Sequence, residues 1–560
     1  MKQYLLYGLL LSFVCLSIQT EAQNKVPTVL PNGIELPEVW PPRYEIPEVR
    51  KEMPLPYIDQ KPAVIPVNLG RQLFVDDFLI AETNLQRVFH KANFYPANPV
   101  LKPDKEWEMT FEGSPYAAPF SDGIWYDERA GKFKMWYLAG AGMIHKSNQS
   151  FYTCYAESDD GKHWVKVNQD VYPNTNIVNT SNRDAATVWL DKEEKDPNKR
   201  YKFFNVEKRR GGWQIVLRYS KDGIHWSQGQ AQSGYVGDRT TFFYNPFTKK
   251  WVGSLRYGNH LSGRSRSYLE NEDPEMAVSV AHHISNDDKD KNIVFWFSPD
   301  DKEQRHPKFP EVEPGIYNFD AIAYESLILG FYAMWKGPEN NVCNDLSIQK
   351  RNEIGLGYSR DGFHFYRPDH SAFMDVNETE GAWNWGNMQS INGVPLIVGD
   401  SLYFYSSGRK RNDIMWDGHT STGLATLRRD GFVSMNNAKK EGYLLTEKIS
   451  FDGKYLFVNA DVTQGELFVE ILDEKGNVID GFGKNDCIKI KKENSTKHLV
   501  SWKNKKDLSE LSNKNIRIKF YLNKGDLYAF WISPWETGES GGYTSGGGPG
   551  LHPSGRDIPR

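Results

Sequence analysis

The sequence predicts an all-β protein: a five-bladed β-propeller followed by a small C-terminal β-sandwich. Three observations carry this. First, a seven-residue pattern, S-x-D-G-x-H-aromatic, occurs as Ser158-Asp159-Asp160-Gly161-Lys162-His163-Trp164, Ser220-Lys221-Asp222-Gly223-Ile224-His225-Trp226 and Ser359-Arg360-Asp361-Gly362-Phe363-His364-Phe365. The copies are 62 and 139 residues apart, so the second gap is close to two periods of about 70. Asp-Gly marks a tight turn, because Gly tolerates positive φ and Asp bonds its own backbone. Second, aromatics make up 14% of the 560 residues, with 17 Trp and 29 Tyr, which suits packed sheets or sugar-stacking surfaces. Third, apolar residues near the C-terminus alternate with polar ones. Leu467, Val469 and Ile471 flank Phe468 and Glu470, and Ile516, Ile518 and Phe520 flank Arg517 and Lys519. A period of two is the mark of half-buried strands.

In chain order, residues 1–22 read as a cleavable export signal. Lys2 supplies the charge, Leu5 to Ile18 the apolar run, and Thr20-Glu21-Ala22 the small cleavage residues. The run is too short to span a bilayer. A secreted or periplasmic location follows. Residues 23–69 are rich in Pro and read as an extended arm rather than a core element. The propeller is assigned to 70–435, its units starting near Glu112, Arg183, Gly237, Tyr317 and Leu396. Arg428-Arg429-Asp430-Gly431-Phe432 reads as a decayed copy of the repeated turn. The sandwich is assigned to 436–533. The Gly-rich stretch 534–560 is expected to be loose unless it docks onto the propeller.

Composition narrows the function. A formal charge of −4 argues against nucleic acid as a partner. Cys154, Cys343 and Cys487 are too sparse and odd in number for a disulfide framework. No P-loop, dinucleotide fingerprint, H-E-x-x-H or C-x-x-C occurs, so neither a cofactor nor metal ligands are predicted.

In a propeller the innermost strands converge on one axis, and side chains near their starts point into one funnel. Burying polar groups there is unfavourable unless they pair or act. The chain places Glu112, Asp184, Asp238, Asp320 and Glu325 near these strands, with Arg183, Arg239, Arg264 and Arg266 in the same units. Four arginines near one funnel suit the bidentate grip of a uronate carboxylate or a sulfate. The structural alternative is that each carboxylate caps a turn or pairs with a neighbouring arginine.

The segments Gly237-Asp238-Arg239-Thr240-Thr241, Gly263-Arg264-Ser265-Arg266-Ser267-Tyr268-Leu269-Glu270, Arg183-Asp184-Ala185 and Asn98-Pro99-Val100-Leu101 resemble those of secreted bacterial proteins related to the five-bladed glycoside hydrolases of families 32, 43, 62, 68 and 117. The C-terminal sandwich resembles the family 32 arrangement. The resemblance implies cleavage of glycosidic bonds by two carboxyls flanking the bond. It departs from those families at Phe111-Glu112-Gly113-Ser114-Pro115, where they carry an Asp, and at Ala185, where family 32 has Pro. Glu325 is assigned as acid, with Glu270 competing. Glu112 or Asp238 is assigned as base or nucleophile, and Asp184 as orienting group. The expected substrate is an anionic oligo- or polysaccharide.

β-Elimination on a uronate is the alternative chemistry. It needs a cationic clamp and a base with a tuned pKa. Arg239, Arg264 and Arg266 are candidates for the clamp. His282, His283, His260, Tyr257, Tyr268 and Tyr324 are candidates for the base. His163, His225 and His364 belong to the turn motif. A non-catalytic glycan-binding propeller is the third reading.

Overall fold

The computed structural model describes residues 27–111, 113–147, 150–259, 262–283, 293–391, 394–410, 419–438 and 441–560. Residues 1–22, where the sequence leads one to expect an export signal, and Glu112 lie outside them. Five antiparallel sheets follow one another along the chain, each with its innermost strand first. These strands are Ala117–Ala118, Arg183–Leu190, Thr241–Asn245, Gly315–Glu325 and Leu396–Val398. The second, third and fourth of them pack side by side. The circle closes between the fifth and first sheets, where Thr420 N donates to Pro115 O at 3.0 Å and Thr422 Oγ1 to Ala117 O at 3.0 Å. The outer strand of the fifth blade is Asn93–Phe94, from before the first blade.

The repeated turn is a latch between blades. Its Ser Oγ accepts from the Gly N–H, at 2.9, 2.9 and 2.8 Å in the three copies. The Asp Oδ1 accepts two further backbone N–H groups, and its Oδ2 meets the His Nδ1 at 2.7, 2.8 and 2.6 Å. This Asp-centred network holds the Gly at φ +72°, +83° and +86°. Each turn then presents a backbone carbonyl to an aromatic of the preceding blade. Tyr405 Oη donates to Gly161 O at 2.6 Å, Trp136 Nε1 to Gly223 O at 2.6 Å, and Trp296 Nε1 to Phe363 O at 2.7 Å. The related piece at Asp430 does something else: its carboxylate takes Arg71, Tyr324 and Asn459.

The sandwich has one sheet of six strands and one of five. Leu467, Val469, Ile471, Ile518, Phe520 and Leu522 are fully buried between them, as the alternation requires. Two boundaries differ from the sequence reading. Gln72–Leu73, Ile80–Thr83 and Gln86–Phe89 pair with sandwich strands, as does Val433–Asn437. The sandwich therefore takes the chain on both sides of the propeller. Nor is the Pro-rich arm outside the core: Leu30, Ile34, Leu36, Tyr57 and Ile65 are buried in the sandwich cluster. Pro keeps the arm extended, and apolar residues between the prolines provide the burial.

The Gly-rich stretch docks onto the propeller at the end of the axis where Gly315–Glu325 finishes. Tyr543–Thr544 pairs with Tyr324 and Glu325. Gly546 O accepts from Tyr126 N at 2.9 Å, and Gly547 O from Ile397 N at 2.9 Å. Side chains have no room here: a Cβ on Gly548 would lie 1.7 Å from Ile397 O, and one on Gly542 would lie 2.1 Å from Glu325 Oε2.

At the second latch, a Cβ on Gly223 would meet Trp136 at 2.4 Å, whereas one on Gly211, also at positive φ, meets nothing within 4 Å. Gly211→Ala is expected to cost about 1–2 kcal/mol, the left-handed penalty alone. Gly223→Ala is expected to cost about 1–3 kcal/mol more through overpacking. Parallel thermal melts of the two variants check the difference.

Candidate active site

At the other end of the axis, where the second, third and fourth inner strands begin, an open cavity of about 850 Å³ lies over the third and fourth blades. The hairpin Lys250–Asn259 and Gly263–Asn271 brings Arg256, Tyr257 and Arg264 to it. The turn before Thr241–Asn245 brings Asp238, and the start of Gly315–Glu325 brings Tyr317. Lys350, ahead of Arg351–Ser359, and Trp335 form the fourth-blade side. Glu313, Glu339, His283 and Arg50 complete the rim.

Arg239, at φ +59°, stands beside the cavity where all five blades meet. Its own N–H and its Nε face Asp184 Oδ1 of the second blade at 3.1 and 3.3 Å. Its Nη2 donates to Gln389 of the fifth at 3.3 Å. Its guanidinium carbon lies 3.1 Å from the ring centre of Phe120 of the first and 5.0 Å from that of Tyr317 of the fourth.

Tyr317 and Asp238 in this cluster are both displaced. Burial pushes the Tyr317 phenol up, but Lys350, Arg239 and Arg264 outweigh it and bring it down to about 7. Lys350 Nζ donates to Tyr317 Oη at 3.1 Å, and the Arg264 guanidinium carbon lies 4.0 Å from the Tyr317 ring centre. Burial also pushes the Asp238 carboxyl up, and Arg264, Arg256 and Arg239 overcome it, holding the group below the usual carboxylate range. Arg256 Nη1 lies 2.5 Å and Arg264 Nη2 3.4 Å from Asp238 Oδ1. The site therefore combines a firmly ionised carboxylate, a phenol that titrates near neutrality, and cations not matched one to one by carboxylates.

The residues singled out from sequence divide into three groups. Asp184, Asp238, Arg239 and Arg264 gather at this mouth, and His283 and Tyr257 reach its rim. His282 is next to the rim, with Nδ1 3.1 Å from Val280 O. Arg183 and Arg266 lie underneath. Arg183 Nη2 pairs with Asp122 at 2.6 Å, both buried, and burial lifts that carboxyl to about 6 despite the arginine. Arg266 donates to Ser254 Oγ at 3.0 Å and to Arg239 O at 2.6 Å, supporting the Arg239 backbone. Asp320 also lies below, beside a void of about 10 Å³ that is too small for a sugar. Burial raises its carboxyl to about 7.

The third group is elsewhere. Glu325 is eight residues beyond Tyr317 on the same strand, roughly 26 Å away at 3.3 Å per residue. There it pairs with Arg429 at 3.2 Å and accepts from Ser540 Oγ at 2.6 Å, so the structure separates it from Asp184 and Asp238. Tyr324 donates to Asp430 at 2.6 Å in the same region. Tyr268 is buried on the third blade, donating to Glu270 at 2.7 Å and packed on Trp296. Glu112 and His260 lie outside the described residues. Tyr317, Lys350, Arg256 and Arg50 were not singled out. Tyr317 heads an inner strand as Asp184 and Asp238 do, and that rule points to it; Lys350 and Arg256 carry no comparable signal.

No family model matches the chain, and no curated protein matches it. It is similar to several solved structures. One is a β-1,2-mannobiose phosphorylase from Listeria innocua, 12% identical over 60% of this chain and 96% of that one, with a TM-score of 0.39. Another is an N-acetylgalactosamine deacetylase from F. plautii, 11% identical over 62% and 96%, with a TM-score of 0.37. A third is the family 32 β-fructofuranosidase of Bombyx mori, 9% identical over 79% and 95%, with a TM-score of 0.34.

Difference absorbance of tyrosinate checks the phenol directly. A step centred near pH 7 is expected in the unmodified protein and should vanish in Tyr317→Phe. Lys350→Met removes the strongest stabiliser of the phenolate, so the step should move upward.

Proposed function

We propose that the protein is a carbohydrate-active enzyme that cleaves glycosidic bonds in an anionic oligo- or polysaccharide, bound in the cavity over the third and fourth blades. The observation that carries this is the cation excess around Tyr317. Asp238 is shared by Arg256 and Arg264, and Lys350 faces a phenol and the Asn340 amide. A sugar carboxylate or sulfate entering this cluster supplies the missing negative charge. Export by residues 1–22 fits a polymer met outside the cytoplasm, and an assay for the processed chain in the culture medium or periplasm tests that part.

In the hydrolytic reading Tyr317 replaces Glu325 as proton donor. Its neutral form gives a proton to the departing glycosidic oxygen. Asp238, held ionised, faces the positive charge that develops on the sugar ring and takes the proton of the attacking water as the new C–O bond forms and the glycosidic C–O bond breaks. The tuned phenol also favours elimination. As phenolate, Tyr317 takes the proton α to a uronate carboxylate, Arg264 and Lys350 hold the developing enolate, and the C4 oxygen leaves with the returned proton.

The two readings differ in the sign of their pH dependence. As a proton donor Tyr317 works below its pKa, so hydrolysis falls as pH rises through about 7. As a base it works above, so elimination rises through the same range. We expect reducing ends without a near-ultraviolet band of conjugated uronate, and activity that declines above neutrality. In Tyr317→Phe, kcat is expected to fall by about 10²–10⁴. Appearance of the band with activity rising above pH 7 moves the assignment to elimination. Binding without product leaves a glycan-binding propeller, and no binding of acidic oligosaccharides removes the proposal.

A further inference from the structure

The third copy of the repeated turn differs from the other two in what covers it. His163 and His225 side chains are 85% and 54% exposed, whereas His364 is 4% exposed. The Pro-rich arm lies over it. Tyr44 Oη is 2.7 Å from His364 Nε2, the ring nitrogen not engaged by Asp361. Asn32 Nδ2 donates to Arg360 O at 2.8 Å, Phe365 N to the Met53 sulfur at 3.1 Å, and Trp40 packs edge-on against Phe363 at 5.7 Å. Arg360 in turn grips Asp76 with Nε and Nη2 at 2.9 and 2.8 Å. A turn that elsewhere only latches blades is here also a clasp for the arm.

Between Tyr44 and Met53 the clasped arm crosses the cavity rim and places Arg50 in it. Arg50 Nη1 is 3.2 Å from Glu313, and Arg305 holds the same carboxylate, so two guanidiniums share one acid. On the same cavity Arg256 and Arg264 share Asp238 in the same way. Gly263 allows the approach, since a Cβ there would lie 3.0 Å from Arg50 Nη2.

We infer that the arm is part of the binding site: Arg50 contacts an anionic group of the bound glycan, on the sugar next to the one at Tyr317, and the Tyr44–His364 clasp positions it. This rests on the function proposed above and adds to it a second anionic subsite and the segment that builds it. The ligand class is a glycan with acidic groups on neighbouring sugars, not one with a single acidic end.

The test compares binding of a three-residue oligogalacturonate with that of its carboxyl-reduced, neutral counterpart, by titration calorimetry on the whole protein. Arg50→Gln is expected to lower the acidic-over-neutral preference about tenfold, the scale of one charge-assisted hydrogen bond. Tyr44→Phe keeps the ring packing and removes the bond to His364. It should lower the preference in the same direction, and by nothing further when added to Arg50→Gln, as a positioning role requires. A preference unchanged in Arg50→Gln, with the unmodified protein still favouring the acidic ligand, overturns the arm's role and leaves the enzyme proposal standing. Equal losses of both ligands would mark Arg50 as structural only and also overturn it. If the unmodified protein binds neither ligand, both proposals fall together.

Discussion

One buried arginine holds the parts of this molecule to each other. Arg71 is fully buried and follows directly on the arm. Its Nη1 reaches Asp430 at the end of the fifth blade at 2.8 Å and Thr496 O of the sandwich at 2.8 Å. Its Nε lies 3.5 Å from Glu325 at the end of the fourth blade's inner strand, and its guanidinium carbon is 4.1 Å from the Trp531 ring centre. Arg429 extends the network to Asp557 at 3.1 Å. A buried charge is tolerated only when its partners surround it, and losing one partner of such a pair costs about 3–5 kcal/mol. Propeller, sandwich and C-terminal stretch each contribute a partner here, and Arg71 itself anchors the end of the arm, so none of them is free to move without exposing the others' charges.

The same constraint divides the axis into two unlike ends. At the Arg71 end, Glu325, Asp430 and Asp557 are met by Arg71 and Arg429 and covered by the docked glycine stretch. At the other end the arginines and Lys350 face an open cavity, and it is a phenol, not a carboxylate, that answers Lys350. One strand, Gly315–Glu325, joins the two, so the charge balance at one end is set independently of the other. Weak screening inside the protein makes the open end sensitive to any anion that enters it.

The fold was legible where residues repeat at a fixed spacing. The S-x-D-G-x-H turns are legible as turns because Ser, Asp, Gly and His each have a hydrogen-bonding duty inside seven residues. The Leu467 and Ile518 strands were legible because a buried face demands alternation. Gln72–Leu73 was not assignable to the sandwich, because two residues contain no period and its pairing to Phe530 and Ala529 is set over 450 residues away. The head-of-strand rule points to Asp184, Asp238 and Arg239, which do gather at the mouth of the cavity. It misplaced Glu325 because an acid at the tail of an eleven-residue strand looks the same in sequence as one at the head. Tyr317 is not legible as a tuned site residue in the sequence, because its special property does not belong to it alone. Lys350, Arg239 and Arg264, from three separate segments, create it.

The pairing of Tyr543–Thr544 with the fourth blade's first strand bears on biogenesis. Among the described strands that pair comes last in chain order. Until it emerges, Tyr324 and Glu325 have an unfilled edge and the axis has no floor. The ring itself can join without it, because the fifth and first sheets meet through Thr420 and Thr422; what waits for this strand is the covering of that end of the axis.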